Sequence, residues 1–220
     1  MPANDRIGDA GGAPRLAHQD AHLVVAVKPS GQLAVPGRVA DPHGCLLSQV
    51  RRLHADALVV HRLDMATSGL MIFARSLAAQ RALSAAFMAR QIEKRYVAVV
   101  DGCVATDEGE IDLPLCADWP NRPRQQVALH GGKPSLTRYR VLSRDRAAGT
   151  TRLELRPVTG RSHQLRVHLL ALGHPILGDA LYAPEPIRSR AARLLLHAGG
   201  LGFCHPVTQA HVELADEPPF

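Results

Sequence analysis

Aromatic side chains are scarce in this 220-residue chain: one Trp, three Tyr and four Phe, 4% in all. The core must therefore come from aliphatic residues, and any ring outside it becomes a residue to explain. There are only four cysteines, Cys45, Cys103, Cys116 and Cys204, widely spread and with no CxxC pair. That argues against a zinc ribbon or a disulfide scaffold and fits reduced cytoplasmic thiols. Twelve histidines are present, but no HExxH and no tight His/Cys cluster, so no metal is expected. His163 and His168 stand five apart, poor spacing for one helix face. No apolar run is long enough to span a bilayer, and no basic segment followed by an apolar stretch opens the chain, so neither a membrane span nor a secretion signal is expected. The most informative shortage is of acids in one region. From Arg122 to Arg166 there are eleven Lys/Arg against only Asp145 and Glu154, in a chain of net charge +6. This points to a polyanionic partner, although a solvated basic face has the same composition.

Hydrophobic residues make up 46%, enough for one large globular domain. Residues 1–17 mix Gly, Pro, Ala and charge without periodicity and are expected as a flexible arm before a single domain over 18–220. Residues 22–27 read as a buried strand stopped by the turn Lys28-Pro29-Ser30-Gly31, and 44–53 as a helix. Residues 57–60 and 70–74 read as short buried strands around a polar turn. Ser76 caps a helix over 77–90, with Ala79, Leu83, Ala86 and Phe87 inward and Gln80, Arg81 and Ser84 outward. Residues 96–100 form a strand, whereas 116–125, with two prolines, are expected as a loop. Residues 136–142 and 152–156 alternate as strands joined by a hairpin. Ser162 caps a helix to Leu172, ended by Gly173. A strand over 193–198 follows, and the residues after Leu214 read as a tail. Strands outnumber helices without alternating with them, which predicts an α+β fold with a largely antiparallel sheet.

Chemistry concentrates in the polar turn after residue 60: His61, Arg62, Asp64, Thr67 and Ser68, then Gly69, which relaxes the backbone where the next strand begins. Asp, Thr, Ser and Gly are also ordinary turn residues, so this stretch alone tips only modestly towards function. A second stretch, Thr159-Gly160-Arg161-Ser162-His163-Gln164-Leu165-Arg166-Val167-His168, leads into LGHPILGD, ending at Asp179. Read together, HRLDMATSGL and TGRSHQLRVH…LGHPILGD resemble the signatures of the RluA family of pseudouridine synthases. KRYVAVV, from Lys94, matches a third motif of that family, and the resemblance runs from about His22 to the C-terminus. DWPNRP, from Asp118, resembles the dual-specificity branch, which acts on ribosomal and transfer RNA.

The resemblance implies a pseudouridine synthase fold: a long mixed, largely antiparallel sheet with flanking helices and a central catalytic cleft. It makes 18–220 a catalytic domain with no separate N-terminal RNA-binding module. It implies isomerisation of uridine to pseudouridine, which needs no metal, nucleotide or redox cofactor. Asp64 supplies the carboxylate, and Arg166 is the guanidinium that lowers its pKa and fixes its geometry, unless that pair is purely a scaffold. Tyr96 stacks on the target base and takes part in late removal of the C5 proton, with a core aromatic as the alternative. Arg62 fills the space left by the flipped uridine. Arg161 and His163 contact phosphate or backbone, and His61 and Thr67 complete the substrate-facing set. Trp119, Arg122 and Arg124 suit RNA, with Arg on phosphate and a ring on a base; a Trp anchoring its loop to the core fits equally well. The expected partners are 23S ribosomal RNA and a tRNA anticodon stem-loop, bound by a cytoplasmic monomer. Whether Asp64 attacks the ribose, attacks the base or assists elimination stays open. Two competitors remain: an RNA-binding protein without chemistry, and a nuclease, which would want two carboxylates or a metal cluster.

Overall fold

The computed structural model describes residues 12–37 and 44–220. In chain order these form β1 (Leu16–Gln19), β2 (Leu23–Lys28), α1 (Leu46–Leu53), β3 (Leu58–Val59), β4 (Ser68–Ala74), α2 (Leu77–Met88), β5 (Glu93–Asp101), β6 (Glu108–Asp112), β7 (Leu115–Ala117) and β8 (Gln125–Val127). Then come β9 (Leu136–Asp145), β10 (Thr150–Pro157), α3 (Gln164–Ala171), α4 (Glu185–Arg188), β11 (Leu196–Cys204) and β12 (His211–Ala215). The fold is α+β, as the strand-rich pattern predicts. The chain sorts into two compact units: residues up to Glu93 with Ala198–Phe220, and Lys94–His197.

In the first unit, β2 lies between β1 and β4, antiparallel to both, with Val25 opposite Ile72. Every residue of β4, and Leu23 to Ala26 of β2, is buried. Strands covered on both faces read as unbroken apolar runs rather than as alternation, which is why these two are plain in the sequence. Leu16 and Ala17, expected in a loose arm, instead belong to β1, where Leu16 pairs with Ala26. The residues before Gly12 lie outside the described ones. Ser76 caps α2 as expected, its hydroxyl accepting the Ala79 N–H at 3.1 Å. Ala79 and Leu83 then join Leu23, Val25, Leu70 and Ile72 in one core. Gln80 differs from expectation: its amide turns inward and donates to the Val59 carbonyl at 2.8 Å. The tail is also partly structured. Its first residue, Ala215, ends β12 and pairs with Gly200 of β11, and Asp216 binds Arg15 at 2.6 Å.

In the second unit, β5, β10, β9 and β6 pair antiparallel in that order. Along β10 the residues Thr151, Leu153 and Leu155 are buried, while the other face is wet. The basic excess is partly spent there: Arg138 pairs with Glu110, Arg140 and Arg156 with Glu154, and Arg144 with Asp107. Residues 116–125 are not simply a loop. β7 and β8 form a hairpin with Cys116 opposite Gln126, because Pro120 and Pro123 fall in its turn and not in its ladder. Ser162 does not cap α3; the cap position is held by His163, in the left-handed region at φ 55°. Gly173, at φ 88°, does end that helix. The N–H groups of Gly173 and His174 return to the carbonyls of Leu170 and Leu169 at 3.0 and 2.9 Å. The strand expected over 193–198 begins only at Leu196 and runs on through three glycines. At Gly202 a Cβ would sit 3.3 Å from that of Glu93, so a larger residue there would crowd the Glu93 side chain.

A buried polar network ties α3 to β9. The Gln164 amide donates to Leu136 O and Thr137 Oγ1, each at 3.0 Å, while Thr159 Oγ1 donates to Gln164 Oε1 at 2.7 Å. His168 Nε2 donates to the Leu113 carbonyl at 3.0 Å, so Nδ1 must accept, and it does so from the Thr137 hydroxyl at 2.9 Å. Burial pushes the His168 imidazole below its ordinary value, against the opposing pull of Leu113 O and Asp112. A depressed histidine contributes stability that is complete above the unfolded value of about 6.5 and is lost as pH falls through the lower folded one. Urea midpoints should therefore drop between pH 7.5 and 5.5. His168→Gln should be less stable at pH 7.5 and show a flatter pH slope; an unchanged slope would rule out His168 as its source. Asp20 acts in a lower window. Burial opposes its ionisation, but hydrogen bonds from His18 and the His22 and Leu23 N–H groups, with His205 nearby, hold it at about 2.

Candidate active site

Asp64 lies in the segment between β3 and β4. β3 stops after pairing Val59 with Phe73, and the ring of His61 then extends its role: Nε2 accepts the Ile72 N–H at 2.9 Å. The same ring stacks on Phe87 at 4.6 Å between centroids. His61, expected to face substrate, is thus engaged in the fold of this unit. Arg62 is exposed, Leu63 is buried, Asp64 is half-buried and Thr67 is buried. Leu63 therefore pins the chain between two polar neighbours, and Thr67 stands inward as a shaping residue.

The turn after β2 braces this segment. Lys28 is fully buried, and its three ammonium hydrogens are directed to the carbonyls of Pro29, Gln32 and Met65, each at 2.8 Å. Gly31 N–H also donates to Met65 O at 2.9 Å, and Ser30 Oγ donates to Ala66 O at 2.7 Å. Thr67 N–H closes the turn on Asp64 O at 3.1 Å. The peptide groups on the C-terminal side of Asp64 are thereby fixed by side chains more than thirty residues away. Gly69 completes the arrangement: at φ 118°, its Cβ would fall 2.3 Å from Ala198 O, so no side chain fits. Reading Lys28-Pro29-Ser30-Gly31 only as a strand stop missed this function.

In the second unit, Tyr96 stands half-buried on β5, opposite Leu155 of β10. Arg166 forms a buried bidentate pair with Asp179, Nε to Oδ2 at 2.8 Å and Nη2 to Oδ1 at 2.6 Å. The same Oδ1 accepts the N–H groups of Leu181 and Tyr182 at 2.9 and 3.1 Å. Two fixed N–H donors and a planar fork orient this carboxylate, which in turn orients the guanidinium. Asp179 ends the LGHPILGD motif, yet nothing local marked it as the partner. At Gly178 a Cβ would sit 1.8 Å from Arg193 O, which admits only glycine beside it.

Three predicted site residues converge on Tyr182, which sequence reading left unassigned. Its hydroxyl accepts the Gln125 N–H at 2.8 Å and is hydrogen-bonded to His163 Nδ1 at 2.7 Å. Arg124 and Arg166 lie 5.3 and 5.0 Å from its ring centre. Burial raises the phenol's pKa, opposed by Gln125 N–H and by the Arg166 charge, so it remains protonated at neutral pH. Trp119 does not anchor its loop to the core: it is 68% exposed, with the Arg122 guanidinium 3.4 Å above its ring. The hairpin is held instead by Asn121 on the Asp118 carboxylate and by Tyr182 at Gln125. Arg161 is exposed and donates to Pro134 O at 3.3 Å.

Comparison with known proteins places this geometry. The profile of the RNA pseudouridylate synthase family matches residues 22–171, spanning the Asp64 segment, Tyr96 and all of α3. The chain belongs to that family. Its members named dual-specificity RNA pseudouridine synthase RluA include that of Pasteurella multocida, 48% identical over 93% of each chain. That of Escherichia coli K12 is 50% identical over 87% of each chain. Among solved structures, human RNA pseudouridylate synthase domain containing 1 superposes with a TM-score of 0.81 and 28% identity, covering 97% of this chain and 86% of that one. Human RNA pseudouridylate synthase domain containing 4 gives 0.74 and 27%, covering 93% and 88%. Membership in the family makes the chain an isomerase whose substrate is RNA. Both the α+β architecture and the motif reading agree with it.

Proposed function

We propose that this chain converts chosen uridines to pseudouridine in 23S ribosomal RNA and in a tRNA anticodon stem-loop, as a cytoplasmic monomer, with Asp64 as the catalytic carboxylate. The reaction breaks the N1–C1′ bond, turns the base and joins C5 to C1′; N1 gains a proton and C5 loses one. The observation that carries this reading is the braced Asp64 segment, which holds one half-exposed carboxylate on a backbone fixed by Lys28, Ser30 and Gly31. A group that forms or guides a bond at C1′ or on the base must be held to a fraction of an ångström, and this brace supplies that. In this reading Tyr96 stacks on the uridine, and Arg166, oriented by Asp179, supplies a positive charge to the reaction. Arg62 takes the space of the flipped base, while Arg122, Arg124, Arg161, His163 and Trp119 meet the RNA. The near full-length identity to dual-specificity enzymes supports both RNA classes.

The test is tritium release from RNA labelled at uridine C5, using an anticodon stem-loop and a 23S fragment, with and without EDTA. Release from both RNAs that is indifferent to chelator is expected. Loss of release in EDTA would favour a metal enzyme instead, and tight binding without release would favour a binding protein.

A further inference from the structure

We propose that a cleft in the second unit, between the β7–β8 hairpin and α3, binds one unpaired base of the RNA substrate other than the uridine being isomerised. This rests on the reading of the chain as an RNA-modifying enzyme. The cleft holds about 270 Å³, bounded on its apolar side by Val127, Val167 and Leu170, which pack with Leu115 and Tyr182 in one small cluster. Drug-sized sites span roughly 300–1,000 Å³, so this volume suits a single flat ring better than a larger ligand. Its rim is polar in a way that fits a base edge: Gln125, whose amide N–H is turned to Pro123 O and Arg124 O, keeps its amide oxygen as an acceptor, Gln126 brings a second amide, and the Asp118 carboxylate, which already accepts from Asn121, has lone pairs to spare. Arg124 lines the same cleft and brings a positive charge for the attached phosphate. In the turn of the same hairpin, the exposed Trp119 with Arg122 stacked on it offers a second flat, cationic surface for a neighbouring nucleotide.

The cleft also communicates with the functional residues of its own unit. Tyr182, which forms part of its wall, holds His163 by its hydroxyl and lies under Arg166. A base seated there presses on the ring that holds His163 and lies beside Arg166. Target choice can thus depend on a nucleotide that is never modified.

The test is a cycle between cleft-filling variants and abasic RNA. Ala171 lines the cleft from the exposed end of α3, and Gln126 from the opposite, exposed side of β8, so Ala171→Trp and Gln126→Trp each fill it without entering the core. Binding of an anticodon stem-loop and a 23S hairpin is measured with each loop nucleotide made abasic in turn. The expected result is a loss of affinity of about fivefold or more in both variants, matching the stacking of one base. That loss should be absent when the RNA already lacks one particular loop base. Wild-type affinity in both variants overturns the proposal, as does a loss that adds to the abasic loss at every position. Pseudouridine formed by the wild-type protein is measured alongside. Its absence would sink the enzymatic reading while leaving the binding cycle to judge the cleft alone.

Discussion

Asp64→Asn should lower pseudouridine formation on the order of 10⁴-fold or more, the scale at which enzymes lose a reactive side chain. RNA affinity should stay within several-fold of wild type. The two halves of this expectation have separate causes. Asn keeps the shape of Asp but carries neither the charge nor the nucleophilicity that any of the three routes requires, whether at the ribose, at the base or in elimination. The segment itself should largely keep its place, because the carbonyls of Asp64, Met65 and Ala66 and the buried Leu63 hold it whether or not the side chain is charged. Affinity is spread over many cationic contacts with phosphate, so one neutralised acid changes it little. Single-turnover assays at saturating RNA, paired with filter binding, separate the two. Wild-type turnover would remove Asp64 from the chemistry. Tyr96→Phe asks a different question, since the ring still stacks but can no longer exchange a proton at its hydroxyl.

What the sequence made legible and what it concealed follow from the range of the interactions involved. β2 and β4 are written as unbroken aliphatic runs, and the cap of α2 as a serine three residues before the N–H it accepts. Such signals are local and survive in one dimension. The density of polar groups from His61 to Ser68 was equally visible, because it exceeds what a chain reversal demands. The supports of that segment were not. Lys28 reaches Met65 across thirty-seven residues, and Tyr182 reaches Gln125 across fifty-seven. No periodicity records such pairs. Arg166 illustrates the limit: the HQLR motif singled it out, but its bidentate partner Asp179, thirteen residues on, emerges only once Gly178 has turned the chain back. β12 and the β7–β8 hairpin were missed for another reason. Their strands are short and half-exposed, so burial wrote little into them, and the prolines of the hairpin masked pairing that begins just beyond its turn.

Replacing Lys28 by Met should cost both stability and turnover, and the two losses should separate with temperature. The side chains are similar in length, so the change removes three charge-assisted hydrogen bonds with little change in volume. The Met65 carbonyl keeps the Gly31 N–H, but those of Pro29 and Gln32 lose the donor that serves them here. Each buried acceptor left without a partner costs about 1–3 kcal/mol, while removing a buried ammonium gives part of that back. A net loss of roughly 2–4 kcal/mol follows, which for a chain of this size lowers Tm by about 5–15 °C. Kinetically, the Asp64 segment loses one of the two ties on its Met65 carbonyl. A displacement near 1 Å at a reacting centre can cost about 10²-fold, so kcat should fall on that scale even well below the melting transition. Calorimetry and single-turnover rates at a temperature where the variant is fully folded decide between outcomes. A lower Tm with a normal rate would mean that Lys28 supports the fold while other ties suffice for Asp64. A normal Tm and a normal rate would mean that the brace holds nothing the reaction needs. Loss of both, with RNA affinity retained, would tie the reactivity of one carboxylate to a buried lysine thirty-six positions before it.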